Sequence, residues 1–187
     1  MINEASKSST SLVVNQYRRG ARLGWGVVGT FSDNLKKVAQ GMLNGKSFSS
    51  DQVDLLEKLG IYMNYNGYGS DLNDLHFTPK ELYQLVIDYD DPLDFIADSR
   101  HHFDKLETGY QQDFAAVTSL QPIRSNACTA VYMLPDQPWA RRVSGVFSND
   151  LTNQHPERAH AVITEKSTGD YLVSVRAPLI NKQGASK

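Results

Sequence analysis

The stretch Trp25-Gly-Val-Val-Gly-Thr-Phe-Ser-Asp-Asn34 constrains the chain more than any other. Its run from Trp25 to Phe31 is small and apolar, the pattern predicted for a short buried strand, and it closes on the polar Ser32-Asp33-Asn34. Leu35, Val38, Ala39, Met42 and Leu43 then recur at helical spacing. A strand, a tight turn and an amphipathic helix in succession make half of a βαβ unit. In open α/β sheets chemistry collects just beyond the carboxyl ends of strands. Asp33 stands at that place, and the functional reading turns on it.

The chain has 187 residues, enough for one large or two small domains with a real core. A net charge of −2 gives no global electrostatic case for nucleic acid and leaves a local basic patch open. One cysteine, Cys128, excludes an internal disulfide and a Cys-rich zinc site. Opening an apolar strand, it is expected to be a buried thiol. No apolar run approaches about 18 residues, so no membrane span is predicted. The start from Met1 to Thr10 is polar and Ser-rich, unlike a secretory signal, and a cytoplasmic location is expected.

Taken in order, a helix is predicted over 11–19 and stopped at Gly20. Asn44-Gly45 breaks the helix that follows the Asp33 turn. Ser49 and Gln52 form a capping-box pair for a helix predicted to end at Gly60. Residues 61–75 read as a turn-rich loop packed by Tyr62, Tyr65 and Tyr68, and Gly67-Tyr-Gly69 fits neither glycine-rich phosphate fingerprint. Thr78, Pro79 and Glu81 start another helix, and Asp91-Pro92 a further one. From about 99 to 120 Phe103, Leu106, Tyr110, Phe114 and Val117 mark a long helix, weakened at Gly109 by about 1 kcal/mol relative to alanine.

After Gln121-Pro122 the period changes. Strands are predicted over 128–134, 160–164 and 171–175, with a helix over 138–151 and a hairpin-like turn from Lys166 to Asp170. The predicted fold class is α/β. It comprises a partial parallel-sheet lobe over 1–98, a long linker helix over 99–121 and a smaller mixed α/β lobe over 122–187. The first strand lacks an earlier neighbour and the end from Arg176 to Lys187 is polar, so the chain is expected to be cut from something longer. Unpaired sheet and exposed apolar surface then favour self-association or a partner that supplies the missing half.

Asp33 reads as a helix N-cap or as one ligand of a hard cation, Mn²⁺ or Mg²⁺, which requires several oxygen or imidazole ligands. His101 and His102 point about 100° apart on a helix and read as solvated residues. Asp74 and His76 are expected to hydrogen-bond locally. Arg141 and Arg142 read as a solvated helix face or as ligand contacts. Arg176, directly before Ala177-Pro178, is either an edge-strand charge or a guanidinium that grips a phosphate with two parallel bonds.

Thr10–Tyr17, Trp25–Asn34 and Gly60–Gly69 together resemble the later part of a DHH-family phosphoesterase domain. Pro138-Trp-Ala-Arg-Arg-Val-Ser-Gly145 and Tyr171-Leu-Val-Ser-Val-Arg-Ala-Pro178 resemble the DHH-associated substrate domain that follows it. The resemblance implies two α/β lobes joined by a helix, a two-metal site that usually holds Mn²⁺, and cleavage of phosphodiesters or phosphoric anhydrides. The family includes single-strand exonucleases, nano-RNases and cyclic-dinucleotide phosphodiesterases. The resemblance implies that Asp33 is a metal ligand and that Arg176, with Ser174 on the same strand and Arg141 or Arg142 nearby, contacts a nucleotide or short single-stranded nucleic acid. No Asp-x-Asp motif precedes Asp33, no Asp-His-His triplet occurs, and the family's closing triple-glycine loop is absent. The expectation is therefore an incomplete phosphoesterase, inactive alone. The alternatives are a non-catalytic nucleotide or single-strand binding module and an inactive gene remnant.

Overall fold

Most local start and stop signals form as the sequence predicts, but the stretch from Trp25 to Phe31 does not. The computed structural model describes residues 8–166 and 168–180. The polar beginning before Ser8, Ser167 in the Lys166–Asp170 turn, and the polar tail 181–187 lie outside them. The described residues form an α/β protein with eight α-helices and a four-stranded mixed sheet. None of its helices is long and apolar enough to cross a membrane.

The chain divides into two compact units. The first comprises 1–64 and 77–107, the second 65–76 and 108–187. The sequence places the boundary near Pro122; the division instead runs through two long helices, α4 (Ser50–Tyr65) and α7 (Arg100–Thr118).

Among its described residues the first unit is helical, which corrects the parallel-sheet lobe expected there. It contains α1 (Thr10–Tyr17), α2 (Leu23–Ser32), α3 (Lys36–Met42), α5 (Pro79–Val86) and α6 (Pro92–Asp98), with the parts of α4 and α7 that fall in it. The stretch predicted as a strand is α2. Val27, Val28 and Phe31 are all buried, so the helix is apolar nearly all round and shows no period by which to distinguish it from a buried strand. Its glycines are points of close helix approach. A Cβ at Gly29 would collide with Ser11 of α1, and one at Gly26 would lie 2.9 Å from Asn15 Cβ.

Gly60 has the same role and does not end its helix: α4 continues to Tyr65, and a Cβ at Gly60 would run into the Val28 carbonyl. Two helix ends are closed by αL residues without glycine at C′. The amides of Arg19 and Gly20 bond the carbonyls of Gln16 and Asn15, and those of Asn34 and Leu35 bond Phe31 and Thr30. Both sets of bonds have the Schellman pattern, with Arg19 at φ +54° and Asn34 at φ +58°. The capping boxes form as predicted. The Ser49 amide donates to Gln52 Oε1 at 2.9 Å, and the Thr78 amide to Glu81 Oε2 at 2.7 Å.

The second unit is built on β1 (Arg124–Ser125), β2 (Thr129–Leu134), β3 (Ala159–Glu165) and β4 (Tyr171–Arg176), in that spatial order. β2 and β3 run parallel, with α8 (Pro138–Gln154) between them in sequence, a βαβ unit. β1 and β4 add antiparallel edges. Tyr65, Val117, Leu134, Val143, Phe147, Leu151 and Val162 form its core. Burial along β3 alternates, with His160, Val162 and Thr164 inward. Ser144, Ser148 and Thr152 satisfy their buried hydroxyls by donating to carbonyls one turn earlier on α8.

Candidate functional site

Two successive arginines at the start of α8 organise the second unit. Neither is a solvated helix residue. Arg141 donates from Nε and Nη2 to the two oxygens of Asp74, each at 2.7 Å, a bidentate fork. It also pairs with Asp136. Asp74 is buried and accepts the amides of Ser70 and Asp71 as well. The Arg141 bonds are the main cause that brings its carboxyl down to about 2.

Arg142 is satisfied in the same way. Its Nε reaches Asp113 Oδ2 at 2.8 Å and Tyr65 Oη at 3.0 Å, its Nη2 reaches Asp113 Oδ1 at 3.1 Å, and its Nη1 reaches the Asp74 carbonyl at 2.6 Å. Burial works against this charge, but the bonds to Asp113 and Tyr65 raise its pKa overall. Tyr65 donates to Asp113, and burial followed by that bond pushes the phenol well above its usual value. His76 Nε2 lies 2.8 Å from the same hydroxyl. His76 therefore bonds Tyr65, and Asp74 bonds an arginine 67 residues away. Four of the predicted candidates are thus joined in one internal network, in which Asp74 and Asp113 meet the two guanidinium charges.

Arg176 is arranged differently. It ends β4, directly across the sheet from His160. Its Nε donates to Asn149 Oδ1 of α8 at 3.3 Å, and its Nη1 to Ser174 Oγ at 3.0 Å. Both partners are neutral, and among the described residues no carboxylate forms a salt bridge with it. Arg176 and Ser174 are thus in direct contact, whereas Arg141 and Arg142 are directed to Asp74 and Asp113. Asn149 has no signal in the sequence; its alignment with Arg176 arises only when α8 packs on the sheet.

Asp33 lies in the first unit as the C-cap of α2, where it is exposed. It is neither at a strand end nor an N-cap; Leu35 precedes α3. Partial desolvation by neighbouring atoms raises its carboxyl pKa. Among the described residues no three His, Cys, Asp or Glu side chains are grouped to hold a metal ion. Asp33 offers one oxygen donor group where a two-metal centre needs several, so the residues described do not fit such a centre.

The remaining candidates are also relocated. Cys128 is exposed rather than buried. His102 is only partly exposed, edge-on to Phe77 at 5.5 Å, rather than solvated. Tyr68 does not pack within its own loop; a Cβ at Gly145 of α8 would collide with its ring.

The second unit thus presents a βαβ layer with an arginine held by neutral partners at the end of its edge strand. No family model, curated protein or solved structure matches the chain.

Proposed function

We propose that this chain belongs to a DHH-type phosphoesterase and that its own part is recognition of a phosphate-bearing ligand, a nucleotide or short single strand, through Arg176. The observation that carries this reading is the environment of Arg176. A partly buried guanidinium is costly to hold without a counter-charge. Arg141 and Arg142 are each matched by carboxylates, whereas Arg176 is oriented by the neutral Asn149 and Ser174. A bound phosphate would supply the charge, and the planar fork suits its oxygens.

Asp33 is the carboxylate that this reading assigns to a Mn²⁺ or Mg²⁺ ion in the intact family. Among the described residues Asp33 belongs to no group of three metal-ligating side chains, which favours binding without hydrolysis. The test is titration with AMP and a short oligonucleotide alongside a phosphodiester hydrolysis assay with added Mn²⁺. Binding without turnover is expected. Mn²⁺-dependent turnover abolished by Asp33→Ala would overturn the binding-only assignment, and no binding of either ligand would overturn the proposal as a whole.

A further inference from the structure

A cavity of about 390 Å³ opens beside α1 and α2, lined by residues of the first unit that do not include Asp33. Its accessible wall is mostly apolar and includes Val14, Asn15, Trp25 and Gly26, and the guanidinium-bearing residues Arg18 and Arg22 line it as well. That volume falls within the range of small-molecule sites, about 300–1,000 Å³.

Three features make it a built pocket. Trp25 is a fixed wall, because its Nε1 donates to the Tyr89 carbonyl at 2.8 Å and its ring lies 6.4 Å from that of Phe95. Gly26 brings the α2 backbone to the cavity wall, since any Cβ there would press on Asn15. Arg18 is exposed and has no carboxylate partner among the described residues, whereas Arg22 pairs with Asp90, itself strongly exposed. Such an exposed pair is weak and is readily exchanged for a better anion.

An apolar wall with an aromatic side and two arginines specifies the ligand class. We propose that this pocket binds an amphiphilic organic monoanion, its apolar body against Val14 and Trp25 and its carboxylate at Arg18 and Arg22. Neither half of such a ligand suffices alone: the charge is weak in water and the body gains most by leaving it.

The probe is decanoate below its micelle-forming concentration, with 1-decanol and acetate supplying the body and the charge separately. Binding is measured by calorimetry and by emission of the full chain carrying Trp139→Phe, which leaves Trp25 as the single indole. Decanoate should bind and shift that emission, and decanol and acetate should each bind at least tenfold more weakly. Val14 is 53% exposed, so Val14→Phe should occupy the pocket without disturbing the core and weaken decanoate at least tenfold. Arg18→Gln should weaken it at least threefold and reduce its salt dependence. No binding, equal binding of decanol, or binding unaffected by both substitutions would overturn the proposal. Unchanged melting of the two variants keeps those outcomes decisive.

Discussion

Arg141 grips both oxygens of Asp74 in parallel bonds of 2.7 Å, closing the loop that carries Asp74 onto the first turn of α8. Asp74 is buried and Arg141 partly so, and loop amides occupy the remaining lone pairs of the carboxylate. Removing Arg141 leaves the Asp74 carboxylate without its counter-charge, whereas removing Asp74 leaves Arg141 with Asp136 alone. Arg141→Ala should cost about 3–5 kcal/mol and Asp74→Ala less, measured by denaturant unfolding. A double variant less than additive would show that the two energies are one interaction.

Acid should weaken the same contact. The Asp74 carboxyl lies at about 2 in the folded chain and near 3.8 when free. A depressed folded value means stability fully present above about pH 4 and lost as pH falls towards 2, amounting to about 2 kcal/mol. Asp74→Asn should flatten the acid limb of the stability curve. An unchanged limb in that variant would place the acid sensitivity elsewhere.

His160 should add a second limb at higher pH. Its ring is buried, and burial lowers its pKa ahead of the repulsion from Arg158 and His155, which together outweigh a backbone contact from Arg158. The unfolded chain therefore binds a proton near pH 6.5 that the folded chain refuses. Stability should be complete above that pH and decline as pH drops below it. His102, lowered in the same direction, contributes alongside. Thermal melts from pH 7.5 to 5 should show a shallower decline for His160→Leu; an identical slope would contradict the assignment.

Gly109 tests what neighbours do to a local propensity. By helix propensity alone, alanine at this position should stabilise α7 by about 1 kcal/mol. In the folded chain the His76 ring, bonded to Tyr65, occupies the place a Cβ would take. Gly109→Ala should therefore destabilise, by about 1–3 kcal/mol in chemical denaturation. Stabilisation would mean that His76 moves aside without cost.

What the sequence made legible was local. Ser49 with Gln52, Thr78 with Glu81, Asp91 before Pro92 and the turn between β3 and β4 each carry their cause within a few residues, and each forms as read. α2 was misread because a helix buried on all sides has no polar face to reveal its period, and its valines and glycines also suit a strand. The site was misread for a different reason. Arg141 and Arg142 resemble surface charges until Asp74 and Asp113 meet them from 67 and 29 residues away. Asn149, which orients Arg176, becomes relevant only through the packing of α8 on β4.

We propose that Arg176 is held for an anionic ligand by geometry as well as by charge. Calorimetric titration of AMP into wild type, Arg176→Lys and Arg176→Ala separates the two contributions. Weak, salt-sensitive binding to wild type is expected, with a loss of at least fivefold in both variants, lysine nearly as impaired as alanine because an ammonium cannot reproduce the fork. Equal affinity in all three would show that Arg176 is an ordinary edge-strand charge and would contradict the assignment of phosphate recognition to this unit.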